Sequence, residues 1–267
     1  MVINTNLQAQ INADNLQTIQ ARLAKSLGRL SSGSKLTSPS DNAGGLAVST
    51  RLDAKISRTD AASNNVSSAI SFTQTQDGYL QNISDALNRM SELSMLAQDS
   101  TKTDADRADY NAEFTQLSGY ITQAGNKDFN GVSLFSANAL AVTVDADGGA
   151  FTMNGIDLTS SAYTSATASN VASTTAATAA LAAIKTAIDQ LSSDRAMIGA
   201  YQSRLNYTSD QLTVSKENLT AADSQIKDVD VADESTEYAR ENVLMQSGTA
   251  MLAQANQLPQ TVLKLLQ

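Results

Sequence analysis

Every seventh residue from Ile184 through Leu191, Ile198, Leu205, Leu212 and Leu219 to Ile226 is an isoleucine or a leucine. A strict seven-residue apolar repeat matches 3.5 residues per turn, so it keeps one seam of an α-helix turned toward a neighbour along its whole length. This stretch is therefore expected to be one long helix lying alongside other helices. A second file, Leu244, Met251, Leu258 and Leu265, carries Gly248, Ala255 and Val262 four residues further on. From Ile226 to Leu244 is 18 residues, two heptads plus four, so the files are out of phase. Between them Asp228-Val229-Asp230-Val231-Ala232-Asp233-Glu234 offers acidic N-cap residues, and a helix break is expected there.

Composition removes most chemistry. The 267 residues include no Cys, no His and only two Pro, and Trp is also missing. Disulfides, Cys-based metal sites, Ser-His-Asp triads and the His-Glu-x-x-His zinc motif are all unavailable. No catalytic residue, cofactor or metal site is expected, and an enzyme is the weakest reading. Asp104, Asp106 and Asp109 lack the twelve-residue calcium loop and read as helix-start charges. A net charge of −9 repels phosphate backbones and argues against general nucleic-acid binding. No apolar run approaches the roughly 20 residues of a membrane span, and the polar start is not a secretory signal.

Leu16, Ile19, Leu23, Leu27 and Leu30 mark a first amphipathic helix over about residues 4–33, closed by Gly33 as a C-terminal cap. Ser38-Pro39-Ser40-Asp41-Asn42 reads as a loop capping the next helix. That helix has no proline from Gly45 to Asp99 and would be about 80 Å long at 1.5 Å per residue. Its middle is small and polar (Thr59, Ala62, Ser63, Thr73, Gln76), which suits a slender bundle. Tyr110, Phe114, Leu117, Ile121 and Ala124 give a further helix that Phe129-Asn130-Gly131 breaks.

Residues 137–160 change character. Alternation in Leu140–Val144, a turn at Asp145–Gly149 and the run Phe151–Met153 predict a small β excursion, and Asn154-Gly155 adds a hairpin signal. From Thr159 to Ala180, 19 of 22 residues are Ser, Thr or Ala, leaving loop, partly ordered linker or decorated surface open. The fold class expected is mainly α: an elongated antiparallel bundle of long helices, paired terminal heptad helices and a small insert containing a β-hairpin. If the chain folds back at the insert, the helix ending near Ile226 lies beside the one beginning near Gly45, and the two terminal helices become a neighbouring pair. Such a thin pair shows more apolar surface than one partner covers, so the pattern asks for self-association.

Strings at both ends carry a family likeness. They are Ile3-Asn4-Thr5-Asn6, Leu30-Ser31-Ser32-Gly33, Asp41-Asn42-Ala43-Gly44-Gly45-Leu46-Ala47-Val48 and Phe129-Asn130-Gly131 at one end. At the other they are Gly199-Ala200, Arg204-Leu205, Glu217-Asn218-Leu219, Ile226-Lys227-Asp228-Val229-Asp230 and Leu252-Ala253-Gln254-Ala255-Asn256-Gln257-Leu258-Pro259-Gln260. In this order and spacing the chain resembles bacterial flagellin, over about residues 1–136 and 180–267. The resemblance implies a structural subunit of the motile flagellar filament, secreted through the flagellar type III channel, with itself as main partner. Export chaperone, junction and cap proteins are further partners it implies. It assigns residues 1–44 with 227–267 to a terminal helix pair that forms the inner tube and orders on assembly. Residues 45–136 with 180–226 become the surrounding helical rod, and 137–179 a small variable outer insert. Alternatives are a hook-filament junction protein of the same superfamily, or a coiled-coil adaptor or signalling rod.

On pattern alone the terminal files are as well explained by the core of a monomeric bundle. With the resemblance, Leu16, Ile19, Leu23, Leu27, Leu30, Leu244, Met251, Leu252, Leu258, Val262 and Leu265 become self-assembly residues. Pro259 inside the last helix is either a tolerated kink or a bend fitted to the tube wall. Arg89, Leu93 and Glu113 match, in the resemblance, a patch read by the vertebrate Toll-like receptor for flagellin. Ser91 stands where recognised flagellins often carry Arg, and a solvated face pairing Arg89 with Glu92 is the plain alternative.

Overall fold

The computed structural model describes residues 6–265, with side chains described through Gln257. The side chains of Leu258, Pro259, Val262 and Leu265 thus lie outside the described residues. The described chain contains α1 (Leu7–Ser32), α2 (Ala43–Gln98), α3 (Asp104–Ala124), β1 (Asp128–Phe129), β2 (Val132–Ser133), β3 (Leu140–Thr143), β4 (Ala150–Met153), α4 (Ser161–Thr167), α5 (Thr174–Lys227) and α6 (Val231–Leu265). It is a helical bundle with two antiparallel hairpins, β1-β2 and β3-β4. Two compact units divide it: residues 1–55 with 218–267, and residues 56–217.

Helix boundaries follow from local hydrogen bonding. Asn42 starts α2 by accepting the Gly45 N–H on its Oδ1 at 2.9 Å. Arg107 closes the same helix: its Nε donates to the Ala97 carbonyl at 3.0 Å and its NH2 to that of Asp99 at 3.1 Å, satisfying carbonyls a helix end leaves bare. Thr103 and Asp106 form a capping box at the start of α3. The expected break after Ile226 is present, with α5 ending at Lys227 and Asp230 accepting the Ala232 N–H to start α6.

In the unit of residues 56–217, α2 and α5 run antiparallel, tied by the ion pairs Asp60–Lys216 (2.7 Å) and Asp77–Arg195 (2.9 Å). The heptad file of α5 is inward, since Ile184, Leu191, Ile198, Leu205 and Leu212 are all buried. Around Ile184, Leu191 and Ile198, α2 contributes Leu80, Ile83, Leu87, Met90 and Leu93 and α3 adds Phe114 and Ile121, while Leu205 and Leu212 pack with Ala62, Val66 and Ala69. Each such side chain contributes about 1.5–3 kcal/mol by leaving water. The small middle of α2 is buried as expected: Thr59, Ala62 and Thr73 let the helices approach closely, and Gln76 donates from Nε2 to the Leu134 carbonyl at 2.6 Å.

The two Asn-Gly signals have exchanged meaning. Asn130 and Gly131 both take positive φ (53° and 79°) and turn the β1-β2 hairpin, where only a helix break was expected. Asn154-Gly155 follows β4 and turns no hairpin; β3 and β4 are joined through Asp145–Gly149. Gly155 answers a packing need, since a Cβ there would lie 2.0 Å from the Ser136 carbonyl oxygen.

The Ser/Thr/Ala stretch is ordered and docked. It contains α4 and the first turns of α5, with Tyr163 and Ala166 buried. The Tyr163 hydroxyl donates to Asp194 Oδ2 at 2.6 Å, and Gln190 Nε2 donates to Asp194 Oδ1 at 2.8 Å. Burial, then the hydrogen bond to Asp194, holds the Tyr163 phenol far above its ordinary range. Tyr163→Phe leaves a buried carboxylate short of a donor. It is expected to lower unfolding stability by about 1.5–3 kcal/mol at neutral pH, read by urea denaturation.

Candidate assembly face

The terminal unit is built around α1 and α6, which run antiparallel. The Asn6 side chain caps α1 by accepting the Ala9 N–H at 3.1 Å, and its Nδ2 donates to the Ala255 carbonyl at 2.8 Å. Arg29 stands 3.5 Å from Glu234, and at the far end Ser34 bridges to Asp228. Along α1 the residues turned inward are Ala9, Asn12, Leu16, Ile19, Leu23, Ser26 and Leu30, alternating three and four apart. Along α6 they are Glu234, Tyr238, Glu241, Met245, Gly248, Leu252 and Ala255.

Leu16, Ile19, Leu23, Leu30 and Leu252 therefore sit in the seam between α1 and α6. The file beginning Leu244-Met251 does not: these two are 42% and 59% exposed, and Leu27 is 54% exposed. The seam position of α6 is three residues earlier in each heptad, at Glu241, Gly248 and Ala255. Small side chains fit there because the helices come close; a Cβ on Gly248 would meet Leu16 Cδ1 at 3.3 Å. Sequence reading missed Leu7, Ile11 and Val243, which are also exposed, at 67%, 45% and 64%. The signal was available, because these apolar residues fall off the heptad seam of their own helices.

The joint into α2 is ionic. Lys25 Nζ stands 2.5 Å from Asp41 Oδ1, while Asp41 Oδ2 accepts from the Ser38 N–H and the Thr37 hydroxyl. The Lys25 hydrogen bond, helped by these donors, pulls the Asp41 carboxyl down to about 2. A carboxyl depressed when folded stabilises the fold above its unfolded pKa near ~4, and that contribution is lost as pH falls through about 2. In Lys25→Ala the Asp41 carboxyl carbon, followed by NMR, is expected to titrate closer to the ordinary value. Ser49 Oγ donates to Asp223 Oδ1 at 2.6 Å, and Lys227 pairs with Asp53 at 3.1 Å.

The residues matched to the receptor patch separate. Arg89 forks onto Glu113, Nε to Oε1 at 2.7 Å and NH2 to Oε2 at 3.0 Å, and also meets Glu92 at 3.0 Å. These contacts raise the Arg89 pKa and lower that of Glu113. Leu93 is a correction: at 0% exposure it belongs to the core, because although it lies one turn from Arg89 it falls within the buried stripe of Met90, Leu93 and Ala97.

Among the described residues no group of three or more acidic side chains could hold a metal ion, and no helix is long and apolar enough to cross a membrane. Residues 3–139 match the bacterial flagellin N-terminal helical region, and residues 181–266 the bacterial flagellin C-terminal helical region. The flagellin of Halalkalibacterium halodurans is 36% identical over 271 residues, covering all of both chains. The flagellar filament 33 kDa core protein of Treponema phagedenis is 34% identical over 285 residues, again covering both completely. The crystal structure of Bacillus cereus flagellin superposes with a TM-score of 0.51 at 26% identity, covering 60% of this chain and 94% of that one. With both terminal helical regions matched and full-length relatives above 30% identity, the chain belongs to the bacterial flagellin family and is a structural protein of the filament-forming kind.

Proposed function

We propose that copies of this chain polymerise into the extracellular filament of a bacterial flagellum and serve motility. The observation that carries the reading is the apolar surface left on the α1–α6 pair: Leu7, Ile11, Leu27, Val243, Leu244 and Met251 are exposed on two helices whose shared seam is already filled. Monomeric proteins rarely keep such surface uncovered, and a surface meeting a different surface on the next copy builds a filament when the rotation does not close.

In this proposal residues 1–44 with 227–267 form the inner tube, 45–136 with 180–226 the helical layer around it, and 137–179 the outward insert. Leu258, Val262 and Leu265 belong to the same self-assembly set by their spacing in the sequence. The role is structural rather than catalytic. Export through the flagellar type III channel, with a chaperone and with junction and cap proteins as partners, goes with this reading and suits a chain without Cys.

Electron microscopy of purified protein added to short filament seeds tests it. Long filaments are expected; seeds that stay short would favour a junction protein, and a stable dimer without polymer would favour a coiled-coil adaptor. Recognition by the Toll-like receptor for flagellin rests on Arg89 and Glu113 as an exposed pair. It predicts that Arg89→Ala weakens monomer binding, and unchanged binding removes it.

A further inference from the structure

Glu241 lies in the α1–α6 seam at 1% exposure, and both of its carboxylate oxygens are buried without a hydrogen-bond partner. A carboxylate taken out of water without a donor is strongly unfavourable, so this group needs a cation. Two guanidinium groups stand just short of it: Arg22 NH1 on α1 at 3.9 Å and Arg240 NH2 on α6 at 3.8 Å, both from Oε1. Hydrogen bonding would require each to close by about 1 Å. The other cations on this stretch of the two helices are engaged, Lys25 with Asp41, Arg29 with Glu234 and Arg240 with Glu237. Arg22 remains, with a side chain 64% exposed.

We infer that Glu241 and Arg22 form a buried ion pair that closes on assembly and fixes the register of the terminal helices. The inference rests on the filament reading, in which neighbouring copies cover the exposed side of α1. Covering Arg22 strips away the water that competes for its guanidinium, and the attraction to a carboxylate rises as the local dielectric falls. The planar fork of Arg then suits both oxygens of Glu241 at once. One turn from Arg22 along α1 lie Lys25 and Ser26 in one direction and Thr18 and Ile19 in the other; Lys25 is held by Asp41, and the other three carry no charge. A slip of one turn would therefore set Glu241 against a neutral side chain or a lysine already paired, and the pair acts chiefly as a specificity device.

The test is a double-mutant cycle on full-length protein, reading the critical concentration for seeded elongation by sedimentation. Arg22→Ala alone strands Glu241 and is expected to raise the critical concentration tenfold or more. In the Glu241→Leu background the same change is expected to alter it by less than twofold, because no buried charge is left to satisfy. Glu241→Gln runs the same cycle if the leucine variant fails to elongate. An Arg22→Ala effect equal in both backgrounds, or absent from the wild-type background, overturns the pairing. Wild-type protein that does not elongate from seeds overturns the filament reading itself, a separate result visible before any variant is made.

Discussion

Deleting Leu244–Gln267 is expected to abolish seeded filament growth while residues 56–217 still unfold cooperatively. The deletion removes Met245, Gly248, Leu252 and Ala255 from the α1–α6 seam, so α1 loses half of its partner. It also removes Leu244 and Met251 from the exposed file. Because Leu244 and Met251 are 42% and 59% exposed, covering what remains of the two at an interface is worth about 1.5–3 kcal/mol in all. Their loss alone corresponds to a rise in critical concentration of at least about tenfold. Sedimentation of seeded reactions gives the first result, and urea unfolding of the soluble truncated chain gives the second. Both outcomes follow from a fold in which residues 56–217 form a compact unit whose described core residues all lie within that range.

Leu93→Ala is expected to cost about 2–5 kcal/mol of unfolding stability, the range for truncating a fully buried leucine. Leu93 is 0% exposed among the α2 residues that face α3 and α5, so the change leaves a cavity where no water enters. A lowered urea midpoint with an unchanged slope is the expected result. The same variant separates packing from recognition. Loss of receptor binding in Leu93→Ala would report a loosened core, whereas Arg89→Ala removes an exposed fork and leaves the core intact.

The heptad file from Ile184 was readable because seven-fold spacing on one long helix has a single physical meaning, and its first five members are buried in this fold. The helix break was readable for a similar reason: a phase shift and an acidic cap residue, Asp230, coincide at one place. The direction of the second file was not readable, because spacing alone gives a stripe and not which way it faces. Which stripe faces α1 depends on how α6 is anchored, through the Ser34–Asp228 bridge and the Asp230 cap, and neither contact leaves a periodic trace. Gly248 and Ala255, at the paired position four residues after Leu244 and Met251, are selected for the seam by close helix approach.

Asn-Gly dipeptides show the same limit. The backbone at Asn130-Gly131 turns a hairpin because the flanking residues can pair, Phe129 with Val132. At Asn154-Gly155 the chain instead passes tightly by Ser136 and Asn138, and tertiary packing overrides the local preference. The stretch from Thr159 to Ala180 was read from composition, which undercounted it. One tyrosine anchored on Asp194 suffices to dock a short helix of small residues, and long-range partners of that kind are invisible to composition. Leu93 was matched through its neighbours in sequence, while its burial is decided by the face of α2 on which it falls.

Hydrogen exchange of backbone amides, compared between the monomer and the assembled filament, tests most directly whether the terminal pair is completed by other copies. Amides of residues 7–32 and 231–257 are expected to exchange readily in the monomer and to slow by about a hundredfold or more on assembly, while the core helices of residues 56–217 are already protected. Terminal helices as protected in the monomer as in the filament, or slowing confined to residues 56–217, would contradict this account.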